Sequence, residues 1–335
     1  MARGRRMAQP KITRITLATL PTPLEDGGKL PSGANLWVKR DDLTGLGVGG
    51  NKARKLEFLC GQAIDNGAKS LVTVGAAQSN HCRMTAAAGA RLGLPTHLVV
   101  SGEKPNRLEG NQLLAEIFGA TLHHTSLADT DWAGLEEFRA RLTQQLVERG
   151  EKPQSIPIGG STAVGAIGYA LAFDEIIEQC TKQNIVADAI VFTTSSGGTH
   201  AGLVAGLVRA RTKDPQKHFP KIIGIGVAKG TALNSRSITD LANKTLTLLG
   251  QTERAPESDV IIDPNYMGSD YAVATQAASD AAKWAARRGA WVLDSVYSAK
   301  GFSGLLGLDA NYEFNADANV IFIHTGGLPS LFTSH

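Results

Sequence analysis

Lys52 is the first residue of the sequence whose surroundings suit covalent chemistry. It follows Gly49-Gly50-Asn51, and the glycines let the backbone or a ligand come close. A desolvated lysine amine is a nucleophile that forms a Schiff base with an aldehyde. An ordinary exposed lysine at the start of a helix is the alternative interpretation. A Walker A phosphate loop is excluded, because Asn51 separates Gly50 from Lys52 and Ala53 stands where Ser or Thr is required.

A second candidate is a loop rich in hydroxyl groups and glycine. It consists of Ser195, Ser196, Gly197, Gly198 and Thr199. The loop follows an apolar strand pattern and precedes a helix of small residues. Free N–H groups and the positive end of the helix make such a junction a phosphate site. A glycine-rich turn with a serine cap is the alternative. The spacing G-x-G-x-x-G is missing, which disfavours a nicotinamide dinucleotide.

Ser79-Asn80-His81 lies at another corner between a strand and a helix. A serine can move a proton, an asparagine can donate to a phenolic oxygen, and a histidine titrates near neutrality. The alternative is a simple helix N-cap, for which Ser and Asn are preferred residues.

Two further positions carry hydroxyl groups at the ends of predicted strands. Thr325 precedes Gly326-Gly327, where its hydroxyl could face a bound heterocycle. Tyr297 follows another predicted strand, and Tyr266 and Tyr271 lie in a polar loop. A phenol can protonate a leaving group, although core packing is the alternative for any single tyrosine.

Together these residues match one cofactor, pyridoxal 5′-phosphate. Lys52 offers the amine and the 195–199 loop the phosphate site. Asn80 offers an amide to the phenolic oxygen, and Thr325 offers a hydroxyl to the ring nitrogen. Neither H-E-x-x-H nor C-x-x-C occurs in the sequence, so a metal is not implied.

The elements that must position these residues alternate between strand and helix. Leu56, Leu59, Cys60, Ala63 and Ile64 predict one apolar helix face directly after Lys52. Residues 1–35 are expected to be tail and loop. Strands are predicted at 36–39, 70–74, 96–100, 120–125, 154–158, 189–193, 222–228, 291–293 and 320–323. This alternation predicts an α/β protein with two open, twisted, mostly parallel sheets flanked by helices. The expected division is a large cofactor-binding domain, 1–55 plus 163–335, and a small domain, 56–162.

Composition excludes several function classes. The 34 basic residues nearly balance 31 acidic ones, giving a net charge of +3, so no nucleic-acid partner is expected. The basic run at 2–6 precedes no apolar segment and predicts a disordered tail, with a mitochondrial presequence as the alternative. No stretch is apolar enough to span a membrane. The 3 unpatterned cysteines indicate a reducing compartment, and hence the cytoplasm.

The chain resembles the D-cysteine desulfhydrase / 1-aminocyclopropane-1-carboxylate deaminase family from about Pro21 to Phe332. The resemblance is carried by 37–42, 49–57, 78–81, 197–202 and 324–327. These are fold-type II pyridoxal-phosphate enzymes related to the tryptophan synthase β chain, and the family suggests a homodimer.

The resemblance also implies roles for individual residues. Lys52 binds the cofactor covalently, Lys55 and the 195–199 loop bind its phosphate, and Asn80 contacts its ring oxygen. Ser79 is implied as the nucleophile or proton-transfer group, and Tyr271 and Tyr297 as the active-site tyrosines.

Two positions bear on the branch of the family. The deaminase branch has Gln after Ser-Asn and Glu after the second tyrosine, where this chain has His81 and Ser298. The ring-nitrogen partner is then expected to be Thr325, as in the desulfhydrase branch. A hydroxyl gives a weaker electron sink than a carboxylate, which suits the good thiol leaving group of cysteine. We therefore expect a lyase that eliminates sulfide from D-cysteine. The alternatives are the deaminase, an L-cysteate sulfo-lyase and a non-catalytic cofactor carrier.

Overall fold

Two separate sheets organise the molecule. The structure, a computed structural model, describes residues 12–228, 234–269 and 273–333. The predicted basic tail at 2–6 and the predicted active-site residue Tyr271 lie outside these ranges. The larger sheet has the strand order β1-β2-β10-β7-β8-β9 and the smaller one the order β5-β4-β3-β6.

All neighbouring strands pair in parallel except β1 and β2, which are antiparallel. The strands are β1 (Leu24–Lys29), β2 (Asn35–Lys39), β3 (Ser70–Gly75), β4 (Thr96–Val100), β5 (Thr121–His124), β6 (Pro153–Ser155), β7 (Ala189–Thr194), β8 (Lys221–Gly226), β9 (Ile261–Asp263) and β10 (Asn319–Ile323). The predicted α/β class with two mostly parallel sheets is confirmed.

Helices connect the strands and cover both faces of the larger sheet. They are α1 (Lys52–Asp65), α2 (Asn80–Leu92), α3 (Gly110–Ile117), α4 (Trp132–Glu148), α5 (Ala163–Lys182), α6 (Gly198–Lys213), α7 (Ser235–Leu248), α8 (Gln276–Gly289) and α9 (Ser298–Ala310). Along β7, Ile190 and Phe192 pack with α5, α6 and α7, whereas Ala189 and Val191 pack with α8 and α9. Because successive strand residues point to opposite faces, the continuous apolar run of β7 suits a sheet buried on both sides. Within the described ranges, no helix is both long and apolar enough to cross a membrane.

Helix α1 is buried on nearly every side rather than on one face. Its charged side chains Arg54, Lys55 and Glu57 are buried, whereas Ile64, predicted on the apolar face, is 47% exposed. Glu57 accepts hydrogen bonds from the backbone of the segment 14–18 at Leu17 N and Ala18 N, both at 3.0 Å. The predicted apolar face is confirmed for Leu56, Leu59, Cys60 and Ala63, which lie in the core, and was wrong for Ile64. The charged side chains are buried as well, because this segment and α5 enclose the helix.

Three strand assignments differ from the sequence-based expectation. Residues 291–293 form no strand, because no neighbouring strand of the described ranges pairs with them. Trp291 and Leu293 are nevertheless each only 3% exposed, since this stretch packs against the core. Strand β1 lies within the predicted tail and loop, and its register shifts between Asp26 and Gly28. Strand β9 is a short edge strand in a segment that was expected to be a polar loop. The strands of the smaller sheet all lie between 70 and 155, and the proposed domain boundaries stay a prediction.

Candidate active site

The loops that follow several parallel strands open into one cavity of about 880 Å³. The carboxyl ends of β3, β7 and β10 lead into 76–79, 195–197 and 324–327, as expected for ligand sites of open parallel sheets. Of the predicted residues, Lys52, Ser79, Asn80, Ser195, Ser196, Tyr297 and Thr325 line this cavity. Lys55 and Thr199 contact two lining residues, Gly159 and Asn51, and Gly197 and Gly198 follow Ser196 in sequence.

The amine of Lys52 is buried and has no anionic partner among the described residues. The side chain is only 9% exposed, which rules out the alternative of a solvated surface lysine. Its Nζ donates to Asn51 Oδ1 at 3.0 Å and lies 5.8 Å from the ring centroid of Tyr297. Burial, followed by the nearby charge of Arg83, lowers the pKa of Lys52 to about 8. The amine therefore has a large neutral fraction under mildly alkaline conditions.

Asn51 connects this amine to the 195–199 loop. Its Oδ1 accepts from Lys52, and its Nδ2 donates to Thr199 Oγ1 at 3.2 Å. Its backbone N–H donates to the carbonyl of Thr325 at 3.0 Å. This residue therefore links the neighbouring Lys52 to two segments that are distant in sequence, a role that was not anticipated.

A polar cup lies between the two sheets at the start of α6. Ser161 Oγ, which follows the smaller sheet, donates to Ser196 Oγ at 2.8 Å and accepts from Gly198 N at 3.2 Å. A Cβ added to Gly198 would lie 2.6 Å from Ser161 Oγ and 2.9 Å from Lys55 Nζ. The absence of that side chain leaves the space for a ligand atom. Sequence analysis missed Ser161, although its Gly159-Gly160-Ser161 run marks a break before a helix.

Lys55 faces the same cup. The side chain is 1% exposed, and its Nζ donates to the carbonyl of Gly159 at 3.1 Å. Burial and then the charge of Lys52 hold its pKa well below the usual range. Neither lysine pairs with a carboxylate of the described residues, so this end of the cavity is short of negative charge.

The corner at 79–81 combines a cap with an oriented amide. Ser79 Oγ accepts from Cys82 N at 3.2 Å, so Ser79 does form the N-cap of α2. Asn80 Oδ1 accepts from Arg83 Nη2 at 3.1 Å and Asn111 Nδ2 at 3.2 Å. With the oxygen occupied by two donors, the nitrogen of the Asn80 amide remains to donate into the cavity.

His81 is a neutral, buried residue. Its Nε2 lies 2.8 Å from Thr73 Oγ1, and Thr73 in turn donates to the carbonyl of Ile156 at 2.9 Å. This chain assigns the ring proton to Nε2. Burial, followed by the charges of Lys52 and Lys55, holds the pKa of His81 well below its usual range. The expectation that His81 titrates near neutrality was wrong.

The hydroxyl of Thr325 is buried and makes no hydrogen bond to any described residue. Ser298, the alternative position for a ring-nitrogen partner, is fully used elsewhere. Its Oγ donates to Asp294 Oδ1 at 2.6 Å and accepts from Asp294 N at 2.8 Å. Tyr297 donates its phenolic proton to the carbonyl of Thr193 at 3.1 Å. Of these three hydroxyls, that of Thr325 is the one without a bond to a described residue, and it is available to a ligand.

These features fit pyridoxal 5′-phosphate. Two buried lysines have no anionic partner in the part of the chain that the structure describes, the space at Gly198 suits a phosphate, and Asn80 offers a donor. The unpartnered hydroxyl of Thr325 suits a ring nitrogen. An unpaired buried polar group costs free energy unless a ligand satisfies it.

Comparisons with known proteins agree with this geometry. Residues 15–326 match the family model described as pyridoxal-phosphate dependent enzyme. The chain is 37% identical over 339 residues to D-cysteine desulfhydrase of Salmonella typhi, covering 97% of each chain. It is 34% identical to a crystal structure of an ACC deaminase homologue, with a TM-score of 0.84 over 96% of this chain and 94% of the other. Threonine deaminase isoform 2 from Solanum lycopersicum, at 19% identity and a TM-score of 0.63 over 93% of this chain and 84% of the other, shares the fold. The chain thus belongs to the pyridoxal-phosphate dependent enzymes.

Proposed function

We propose that this protein is a D-cysteine desulfhydrase, which converts D-cysteine to pyruvate, hydrogen sulfide and ammonia. The observation that carries the proposal is that the hydroxyl of Thr325 has no partner among the described residues, whereas that of Ser298 is bonded to Asp294. A hydroxyl partner supports a weaker electron sink than a carboxylate, which is sufficient for a good leaving group such as hydrosulfide. The likeness to desulfhydrases along 97% of both chains supports the same choice.

The residues that would hold the cofactor follow from their positions. Lys52 binds it covalently, while Lys55, Ser195, Ser196 and Gly197–Thr199 hold its phosphate with Ser161. Asn80 donates to the phenolic oxygen, and Thr325 contacts the ring nitrogen. Pyridoxal 5′-phosphate supplies the electron sink for charge that develops on the substrate α-carbon.

The start of α2 would hold the carboxylate of the amino-acid substrate. The first N–H groups of a helix have no partner within it, and Ser79 satisfies that of Cys82. The N–H groups of Asn80 and His81 make no hydrogen bond to a described residue, and they lie at the positive end of the helix dipole. This placement would orient the α-carbon toward Lys52.

A small set of groups in the site can transfer protons. Lys52, with its lowered pKa, can take the α-proton as a neutral amine, and Ser79 is the second candidate. Tyr297 and Tyr271 are the candidates for assisting the departing sulfur. His81 is excluded as a proton donor because its ring is neutral and its Nε2 proton is directed to Thr73.

Deamination of 1-aminocyclopropane-1-carboxylate is the second candidate function. It is favoured by the structural likeness to an ACC deaminase homologue. Its product would be α-ketobutyrate, with ammonia.

A substrate panel tests these proposals. Cofactor-loaded protein is supplied separately with D-cysteine, L-cysteine, L-cysteate, β-chloro-D-alanine and 1-aminocyclopropane-1-carboxylate, and sulfide, sulfite and keto acids are measured. We expect sulfide and pyruvate from D-cysteine and not from L-cysteine. Sulfite from L-cysteate or α-ketobutyrate as the main product would reject the desulfhydrase assignment, and no turnover of any compound would indicate a cofactor carrier.

A lysine substitution tests the covalent assignment. Lys52→Ala should be colourless, whereas Lys29→Ala, which changes a half-exposed lysine paired with Asp317, should stay yellow. A visible absorption band that persists in Lys52→Ala would reject the role of Lys52.

We also propose that the protein acts as a homodimer in the cytoplasm. All three cysteines are buried and unpaired, which supports a reducing compartment. Helix α3 packs beside the 3₁₀ turn Leu328–Phe332, and these elements expose Ile117 by 67% and Phe332 by 70%. Exposed apolar side chains on neighbouring elements support a subunit interface. Sedimentation equilibrium should give twice the chain mass.

A further inference from the structure

Arg83 is a buried cation whose partners carry no charge. Its side chain is fully buried in α2, one turn after Asn80. Nε donates to Asn111 Oδ1 at 2.9 Å, and Nη2 donates to Asn80 Oδ1 at 3.1 Å. Nη1 donates to the carbonyl oxygens of Gly49, at 3.0 Å, and Gly47. Burial lowers the pKa of Arg83 to about 10, and no described carboxylate offsets that charge.

Such an arrangement is unfavourable for folding alone. Buried charges are normally paired, because removing an ion from water costs several kcal/mol. Arg54, in contrast, is equally buried and is paired with Asp41 and Glu175. A guanidinium that has only neutral acceptors beside the cavity therefore calls for an explanation by function.

The hydrogen bonds of Arg83 show what this side chain holds in place. Arg83 and Asn111 donate to the same oxygen of Asn80. If the Asn80 amide were rotated by half a turn, its NH₂ group would face these two donors, which is unfavourable because an NH₂ group cannot accept a hydrogen bond. Nη1 also donates to the carbonyls of Gly47 and Gly49, in the loop that precedes Lys52. One side chain thereby fixes the Asn80 amide, on the cavity wall, relative to the loop that precedes Lys52.

We propose that Arg83 is a positioning residue, which holds the Asn80 amide with its nitrogen toward the cavity and ties the loop before Lys52 to α2. This inference rests on the proposed role of Asn80 as the donor to the phenolic oxygen of the cofactor. Nothing in the sequence pattern singled out Arg83, because its acceptors are two backbone carbonyls and two amides.

The test compares two ligands that differ in one oxygen. Unloaded protein is titrated with pyridoxal 5′-phosphate and with 3-deoxypyridoxal 5′-phosphate, which lacks the phenolic oxygen, and both affinities are measured. A hydrogen bond from Asn80 should make the wild type prefer pyridoxal phosphate by about tenfold or more. We expect Arg83→Gln to lose most of this preference, as Asn80→Ala does. If Arg83 had a purely structural role, Arg83→Gln would lower the affinity for both ligands equally and leave the ratio of the two affinities unchanged.

A double-mutant cycle isolates the coupling between the two residues. In the Asn80→Ala background, Arg83→Gln should have no further effect on the ratio of the two affinities. Arg91→Gln is the matched control, since Arg91 lies on the same helix and donates to the carbonyl of Leu17 at 3.1 Å, away from the cavity. It should keep the wild-type ratio.

The outcomes separate this inference from the proposed function. If the wild type itself shows no preference for pyridoxal phosphate, the proposed cofactor contact of Asn80 is wrong. If the wild type has the preference and Arg83→Gln retains it, only the role of Arg83 is rejected. If Arg83→Gln does not fold, Arg83→Lys keeps the charge, reaches fewer of the four oxygens and should also lose the preference. If neither variant folds, Arg83 is a structural residue and the inference is rejected.

Discussion

Replacement of Thr325 by valine should stabilise the unloaded protein and impair the loaded enzyme. The Thr325 side chain is 4% exposed, and its hydroxyl has no described partner. An unsatisfied buried hydroxyl costs about 1–3 kcal/mol. Valine keeps the shape and removes that cost, so we expect the free energy of unfolding to rise by about 1 kcal/mol. For a chain of this length the melting temperature should rise by about 2 °C.

A matched substitution should have the opposite effect on stability. Thr73 is equally buried, but its hydroxyl bonds both His81 Nε2 and the carbonyl of Ile156. Thr73→Val should lower the free energy of unfolding by about 1–3 kcal/mol, because it leaves the His81 N–H unpaired. Both variants are measured without cofactor by urea denaturation and thermal unfolding.

The loaded enzyme completes the test of Thr325. Valine cannot bond the ring nitrogen, so kcat/KM for D-cysteine should fall by about tenfold, equivalent to roughly 1.4 kcal/mol. A Thr325→Val protein that is less stable without cofactor would show that the hydroxyl already has a partner. An unchanged kcat/KM would show that it does not serve the ring nitrogen.

Two further predictions concern the phosphate cup and the reactive amine. Gly198→Ala places a methyl group 2.6 Å from Ser161 Oγ, so it should weaken binding of pyridoxal 5′-phosphate by about tenfold or more and leave binding of phosphate-free pyridoxal unchanged. Equal losses for both aldehydes would place the phosphate elsewhere. Since burial lowers the pKa of Lys52 to about 8, the neutral amine is lost as the pH falls below that value. The rate at which unloaded protein reacts with pyridoxal phosphate, measured by absorbance, should rise up to about pH 8 and then level, whereas an ordinary lysine would keep gaining reactivity toward about pH 10.

The fold was largely predictable because its signals are local. Continuous apolar runs such as 189–193 predict strands that are buried on both faces of a sheet. Gly or Ser at the end of such a run predicts a loop that leads into the next helix. Strand β1 was missed because its Asp-Gly-Gly sequence favours a turn, and only pairing with β2 makes it extended. The stretch 291–293 has strand-like burial, but sheet pairing requires a neighbour that sequence alone does not reveal.

The lining of the site was predictable where one residue type carries the chemistry, as for Lys52, Asn80 and Thr325, which all line the same cavity; the roles of these residues stay predictions. It was not predictable where the function depends on a distant contact. Ser161 bonds Ser196, which lies 35 positions away in the sequence, and Arg83 bonds two backbone carbonyls and the amides of two asparagines that no motif connects to it. The neutral state of His81 likewise follows from burial beside two lysines, which no motif encodes.

The cup formed by Ser161 and Ser196 has a consequence for cooperativity. One hydroxyl follows the smaller sheet and the other follows the larger sheet, so a bound phosphate would be shared by both. A ligand that binds only when two units are in place adds its binding free energy to their association. Calorimetry of the loaded protein should therefore show one concerted transition, whereas the unloaded protein should unfold over a broader range as the two sheets come apart separately.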